Sequence, residues 1–553
     1  MPRRTALVFL LALVAGTVTV TIALRDNSRF SSDSFHYMLL GDALAHGRGF
    51  VSGGSQHPDL TRSPLLPLLI APLVWVFGNA VRAGIAVVTL SAAALAIPLY
   101  YLCRELFGQR AAYAALPLAG LSCVLGSADR VLPTPLYVLG VVATAALLVQ
   151  GLRRGNWPSF FLAGASAGLA AVARPEGLPF LLLPAGWILF GPAPGVPAAG
   201  WVLLGAALAF GPYVIWASVR LHRFAPLPSL QYVDDTRYIT DRFGLRDVAE
   251  PQIPWEERAL FLLTADHRER VLDLYFRTRQ IPPVDAPATR PELATAGPDN
   301  PARTRDLIVR RIQIALHNLR RVPSHLRGAH LMPPVPILLG LAGVVSLLLR
   351  RRGWRPLAFA VALFGFTALP ILANMEDRFL YAPFAVGLAL AAAGWGEVDR
   401  LAAARLPGLV RIAFHVLLAG SVATWGLTHR MPETPKLNLE LAQRALAART
   451  VAQLPPGPIL AVRPHFPFWV GHPYAPLPIL GPEGVLAFAR LHDVHALVLQ
   501  VPFDVKNRPD LAVLTSTSPP GFTRLDAQPI AGGGELLLFR LGLSGGETAG
   551  GAP

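Results

Sequence analysis

Side chains able to do chemistry crowd into one short stretch near the start of an otherwise apolar chain. Ser32-Asp33-Ser34-Phe35-His36-Tyr37 opens it, and Asp42, His46, His57 and Arg62 follow before Pro67. A carboxylate within hydrogen-bond reach of a hydroxyl can accept its proton, a guanidinium can hold an oxyanion through paired hydrogen bonds, and imidazoles can ligate metals. The histidines lack a close His-x-x-x-His spacing, so polar surface or substrate contacts account for His36, His46 and His57 more simply than a metal. Helical spacing accounts for His36 and Tyr37 without chemistry.

The elements that must position these groups are transmembrane. Hydrophobic residues make up 53% of 553 and mean hydropathy is +0.45, which a soluble domain of this length would not tolerate on its surface. A formal charge of +15 would suit nucleic acid if the arginines formed one patch, but they are scattered in short loops between apolar blocks. Nucleic acid is therefore excluded and the arginines are topology signals. Cys103 and Cys123 both fall in apolar spans, so they are packing residues and not a disulfide framework or thiolate metal site.

Residues 5–24 behind Arg3 and Arg4 read as an uncleaved first helix that starts in the cytoplasm. Further spans are expected near 82–103, 111–127, 133–150, 159–174, 177–190, 198–219, 334–350, 355–373, 378–396 and 410–427. That makes about eleven crossings of a ~30 Å hydrocarbon core. The stretch 159–190 reads either as two spans or as one kinked helix. Arg104, Arg110, Arg153, Arg154, Arg350 to Arg352, Arg355, Arg400, Arg405 and Arg411 then fall in cytoplasmic loops, as the positive-inside rule requires. The fold class is mainly α, a polytopic helical membrane protein, with residues 1–427 as its transmembrane domain.

Two extracytoplasmic loops interrupt that domain. In the first, 25–81, residues 35–45 and 64–77 read as helices lying along the membrane interface. The second, 220–333, is long and polar, with helical patterns at 256–263 and 304–319; its Asp234-Asp235 pair reads as a solvated turn. Residues 428–544 change character, with short apolar strands at 459–462, 496–501 and 536–539 and a helix at 482–491, predicting a small extracytoplasmic α/β domain. The Gly/Ala-rich tail 545–553 is expected to be disordered.

On this topology Asp33, Asp42, Arg62, Asp129, Arg130, Arg174, Glu176, Glu376, Asp377 and Arg378 all lie at outer helix ends or in outer loops. Charges beside apolar spans are costly unless paired or lining a wet cavity, so the group suggests one outward-facing polar site. A transporter would instead place polar residues at mid-depth on several helices, often in two related halves. Neither feature is present, although an inactive membrane scaffold would carry the same pattern.

Three blocks carry a family resemblance. Asp33-Ser-Phe-His-Tyr37, Ala43-Leu-Ala-His-Gly-Arg-Gly-Phe50 and Thr61-Arg-Ser-Pro-Leu-Leu-Pro-Leu-Leu69 together resemble the first outer loop of GT-C glycosyltransferases. The closest likeness is to glycosyltransferase family 39, the protein mannosyltransferase and aminoarabinose transferase group. Ala163 to Gly177, ending Arg-Pro-Glu-Gly, is similar to that family's small-residue helix, and Asp377-Arg-Phe-Leu-Tyr-Ala-Pro383 to its late Arg-aromatic helix start. Two departures stand out. Ser34 follows Asp33 where the family often has a second acid, and Ser63 separates Arg62 from a single proline.

The resemblance implies transfer of a hexose or pentose from a polyprenyl-phosphate donor, with inversion, outside the plasma membrane of a bacterium. It implies Asp33 as the general base and Arg62, then Arg378, then Arg174, as binders of the donor phosphate. His57, Asp129, Arg130, Glu176, Glu376 and Asp377 would line the site, Glu176 as an ion-pair partner of Arg174. A divalent cation, Mg or Mn, is compatible with Asp33 and His57 or Asp129 but is not required. The partners are then the lipid-linked donor, the bilayer, and a protein, lipid or glycan acceptor that no motif identifies.

Overall fold

The computed structural model describes residues 30–51, 62–120, 130–181, 196–221, 315–322, 334–350, 354–373, 377–410, 434–477, 481–491, 493–507 and 509–542, with isolated positions between. They form a helical bundle and, after it, a mixed α/β domain.

Helix α1 (Ser32–Ala45) begins with a capping box in which the Ser31 and Ser34 side chains each satisfy the other's backbone N–H. Helix α2 (Leu65–Phe77) ends at Gly78, whose φ of +65° suits glycine at a helix C-terminus. Leu66, Ile70 and Val74, one turn apart, are buried; a Cβ at Gly41 would lie 2.4 Å from Ile70 Cγ2, so α1 and α2 touch backbone to side chain. Leu68, Leu69, Trp75 and Val76 on the other side of α2 are exposed. An apolar helix this short with an exposed apolar face suits the membrane interface.

Helices α3 (Ala80–Ala94) and α4 (Ala96–Phe107) run almost continuously, broken near Pro98, which cannot donate a backbone hydrogen bond. Then come α5 (Gln109–Gly120), α6 (Thr134–Arg154), α7 (Trp157–Ala173), α8 (Val196–Leu221), α9 (Pro334–Leu349), α10 (Trp354–Ala373) and α11 (Asp377–Ala403). Among the described residues, Ala80–Phe107, Thr134–Arg154 and Val196–Arg220 are long and apolar enough to cross a membrane, and shorter apolar helices surround them. The expected spans at 5–24 and 410–427, and most of 177–190, lie outside the described residues, as do the helical pattern at 256–263 and the tail.

Small residues let these helices meet backbone to backbone. A Cβ at Gly164 of α7 would stand 1.9 Å from the Val202 carbonyl of α8, and one at Gly394 of α11 would stand 1.8 Å from the Leu339 carbonyl of α9. Backbone cannot yield as a side chain can. Gly164→Ala is therefore expected to cost about 1–3 kcal/mol by overpacking, read as a lower unfolding temperature of the detergent-solubilised protein.

The α/β domain runs α12 (Thr434–Thr450), β1 (Ile459–Ala461), α13 (His465–Val470), β2 (Tyr474–Pro476), α14 (Pro482–Leu491), β3 (Ala496–Val501), β4 (Phe522–Pro529) and β5 (Glu535–Leu541). The sheet order is β2-β1-β3-β5-β4, parallel through β2, β1 and β3 and antiparallel at β5 and β4, with a register shift in β4 between Arg524 and Asp526. Successive strand residues point to opposite faces. Ala496, Val498, Leu536 and Leu538 pack under α12 and α13, and Leu497, Leu499, Leu537 and Phe539 under α14. Burial on both faces is why β3 reads as an unbroken apolar run.

One polar cluster interrupts the α12 and α13 side. Glu440 and His465 are both almost fully buried, 3.9 Å apart, with Arg444 Nε 3.3 Å from Glu440 Oε1. Burial pushes the Glu440 carboxyl up to about 7 against the opposing charge of Arg444, and burial, helped by Arg463, pushes His465 down to about 3. The folded state thus binds more protons at Glu440 between its ordinary 4.5 and about 7, and fewer at His465 between about 3 and its ordinary 6.5. From these two groups, stability is expected to rise from about pH 3 to 4.5, stay level to 6.5 while they offset, and fall towards about pH 7. In Glu440→Gln the fall above pH 6.5 should vanish, as measured by denaturation of the full chain followed through tryptophan fluorescence.

Candidate active site

Asp33 sits in the first turn of α1, where the helix N-terminus favours negative charge. Arg62, just ahead of α2, places Nη1 2.9 Å from Asp33 Oδ1 with both side chains about a quarter exposed (27% and 24%). The two residues that the family likeness names first are thus brought together from either side of a loop.

The second group is built by the Arg-Pro-Glu-Gly end of α7. A residue before proline is driven into an extended conformation, and Arg174 adopts it, with φ −153° and ψ 140°. That turns its side chain off the helix and into the bundle. Its Nε and Nη2 donate to Glu176 Oε2 and Oε1 at 3.1 and 2.8 Å, its Nη1 donates to Thr134 Oγ1 at 2.9 Å, and it lies 5.9 Å from the Tyr137 ring centroid. Gly177 closes the turn where a Cβ would lie 2.5 Å from the backbone of Ala170 and Ala171. Tyr37, one helical turn after Asp33, is within electrostatic reach of Arg174, so α1 links the two ion pairs.

The bundle separates this end from its other end. Glu105 meets Arg104, Arg153 and Arg154; Glu397 meets Arg350 and Arg400; Asp399 meets Arg110. Helix α6 starts at Thr134, beside Arg174, and ends at Arg154, beside Glu105. Its 21 residues make the two charge clusters about 30 Å apart, one hydrocarbon thickness.

Of the other anticipated residues, Arg130 lies at the bend leading into α6. Asp377 and Arg378 begin α11, with side chains outside the described residues, as are His57, Asp129 and Glu376 altogether. Thr134 and Tyr137, which hold Arg174, carry no motif and were not anticipated; Tyr37 was discounted, although its four-residue offset from Asp33 was a usable signal. Among the described residues no three His, Cys, Asp or Glu side chains converge as metal ligands, and the Asp33 carboxylate is engaged by a guanidinium. His57 and Asp129, the residues compatible with a cation beside Asp33, lie outside the described residues.

A helical bundle with a charged cluster at the base of its first helices and a mixed-sheet domain after it is a fold shared with solved structures. The chain is similar in fold to the Archaeoglobus fulgidus oligosaccharyltransferase, with TM-score 0.54 and 13% identity over 92% of this chain and 71% of that one. The same enzyme in complex with Zn and sulfate gives TM-score 0.55 and 12% identity over 92% and 69%. ArnT from Cupriavidus metallidurans bound to undecaprenyl phosphate gives TM-score 0.50 and 14% identity over 98% of both chains. No curated protein matches the sequence. Residues 56–216 match the family described as dolichyl-phosphate-mannose-protein mannosyltransferase. The match takes in Arg62 and Arg174 but begins after Asp33. The likeness to ArnT runs over the full length, and Ala80–Phe107, Thr134–Arg154 and Val196–Arg220 supply helices of membrane-spanning length, as the apolar runs of the sequence predict.

Proposed function

We propose that the protein is an inverting glycosyltransferase that moves a sugar from a polyprenyl-phosphate carrier to an acceptor on the extracytoplasmic face of a bacterial plasma membrane. The observation that carries this reading is the Asp33 and Arg62 pair, a base and a phosphate-binding cation 2.9 Å apart at one end of the bundle. Asp33 takes the proton of the acceptor hydroxyl while that oxygen bonds to the anomeric carbon from the face opposite the phosphate. The bond from the anomeric carbon to the phosphate oxygen breaks, polyprenyl phosphate leaves, and configuration inverts. A guanidinium carries five N–H donors, more than one carboxylate takes, so Arg62 can face Asp33 and the phosphate at once and stabilise the charge that develops there.

The family description and the undecaprenyl phosphate held by ArnT support a lipid-phosphate donor. The basic cluster at the far end of α6 supports an outward-facing site, since that end matches the cytoplasmic arginines. About eleven spans would complete the bundle. The experiment supplies purified protein with labelled polyprenyl-phosphate mannose or pentose and a panel of acceptors. Transfer with inverted anomeric configuration is expected. Retained configuration, or transfer only from nucleotide sugars, would overturn the reading.

A further inference from the structure

The α/β domain reaches back onto the helix that carries Asp33. Phe35, two residues beyond Asp33 and fully buried, receives α13: its ring centroid is 4.4 Å from that of His465, 4.9 Å from Phe468 and 5.9 Å from Trp469. Phe30, at the base of α1, touches the same group at Phe35 and Trp469. Residues two apart on a helix point to nearly opposite sides, so α1 is gripped from behind while Asp33 faces Arg62.

The closest ring in that grip is an unexpected one. Both nitrogens of His465 are buried without a hydrogen-bond partner among the described residues, while the Trp469 indole lies against the Glu440 carboxyl. Arg444, which bonds Glu440, also lies 4.3 Å over the Trp469 ring. Burying such groups is costly, and an apolar side chain of similar volume would stabilise the domain better. The stability of the α/β domain therefore does not account for a histidine here. Its position does, because it stands where this domain meets α1.

The geometry points to His465 as a positioning residue: packed against Phe35, it fixes the rotation of α1 and so the direction of the Asp33 carboxylate. The ring stays uncharged, because burial holds it down to about 3, so the contact is ring against ring at any working pH. The inference rests on the catalytic reading of Asp33.

The test is a double-mutant cycle on the full-length protein, with transfer kinetics and unfolding temperature measured together. His465→Ala is expected to lower kcat about tenfold with KM for the donor unchanged, since small misplacements of a reacting group carry large rate penalties. In an Asp33→Asn background the same change should cost nothing further, because there is no base left to orient. His465→Phe combined with Glu440→Gln keeps a ring on Phe35 and should retain most of the activity. Losses that multiply in the double variant, an unchanged kcat in His465→Ala, or a folded Phe and Gln variant as slow as the alanine one would each overturn the inference. If Asp33→Asn itself transfers at the parent rate, the catalytic reading fails and the positioning role falls with it. Loss in Asp33→Asn without loss in His465→Ala refutes positioning alone.

Discussion

Asp33→Asn is expected to lose about 10²–10⁴-fold in kcat while still binding the donor, the usual effect of removing a positioned general base. The variant keeps the size and shape of the side chain and removes only its ability to hold a proton. The pair is only about a quarter exposed, so its loss also costs some stability, which the unfolding temperature reads separately from transfer. Steady-state transfer beside donor binding and unfolding temperature separates the effects. Parent-like transfer would sink the base assignment. Arg62→Ala should instead weaken the donor phosphate contact, raising the donor Kd as well as slowing transfer. Arg62→Lys should not restore it, since an ammonium lacks the planar fork that can engage two anions.

Arg174→Met is expected to destabilise the protein by about 2–3 kcal/mol, because it leaves the half-buried Glu176 carboxylate without its bidentate partner. The Thr134 hydroxyl loses its donor as well. Adding Glu176→Met should recover much of the loss, since replacing a whole buried pair by apolar groups is often close to neutral. Equilibrium or thermal unfolding in detergent reads both. A single variant as stable as the parent would mean that the pair does not hold the end of α7. If the double variant is stable but inactive, Arg174 serves the donor; if stable and active, its work is structural. Its low exposure and three hydrogen bonds favour the second outcome.

Much of this arrangement was legible in the chain. Apolar runs bounded by arginines located α5 to α11 and, as a single run, α3 with α4, because a membrane span must be both long and apolar. In the α/β domain, β1, β3, β5 and α14 were visible for the same reason, as buried runs between turn residues. Strand β4 was not: Phe522 to Pro529 reads FTRLDAQP and is mostly half-buried or exposed, so it shows no hydrophobic signal and takes its conformation from pairing with β5. Helix α12 was hidden by Glu440, Gln443 and Arg444 on its inward side, and α13 by its six residues. At the site, Asp33, Arg62 and Arg174 came from motifs. Their supports, Thr134, Tyr137 and His465, did not, because a side chain that acts by holding another leaves no spacing of its own.

The ends of the five-stranded sheet bear on how an acceptor can be held. An exposed strand edge is a template onto which an extended polypeptide can add as a further strand, a common way of gripping peptides. Here one edge is β2, three residues long and ending in Pro476, which has no N–H to offer. The other is β4, where the ladder shifts register between Arg524 and Asp526 and Arg449 from α12 reaches across to Asp526 and Gln528. One described border is thus short, and the other is interrupted part-way along its eight residues. Under the proposed function, an acceptor is therefore expected to meet side chains and loops of this domain rather than a long free strand, an arrangement open to substrates that are not peptides.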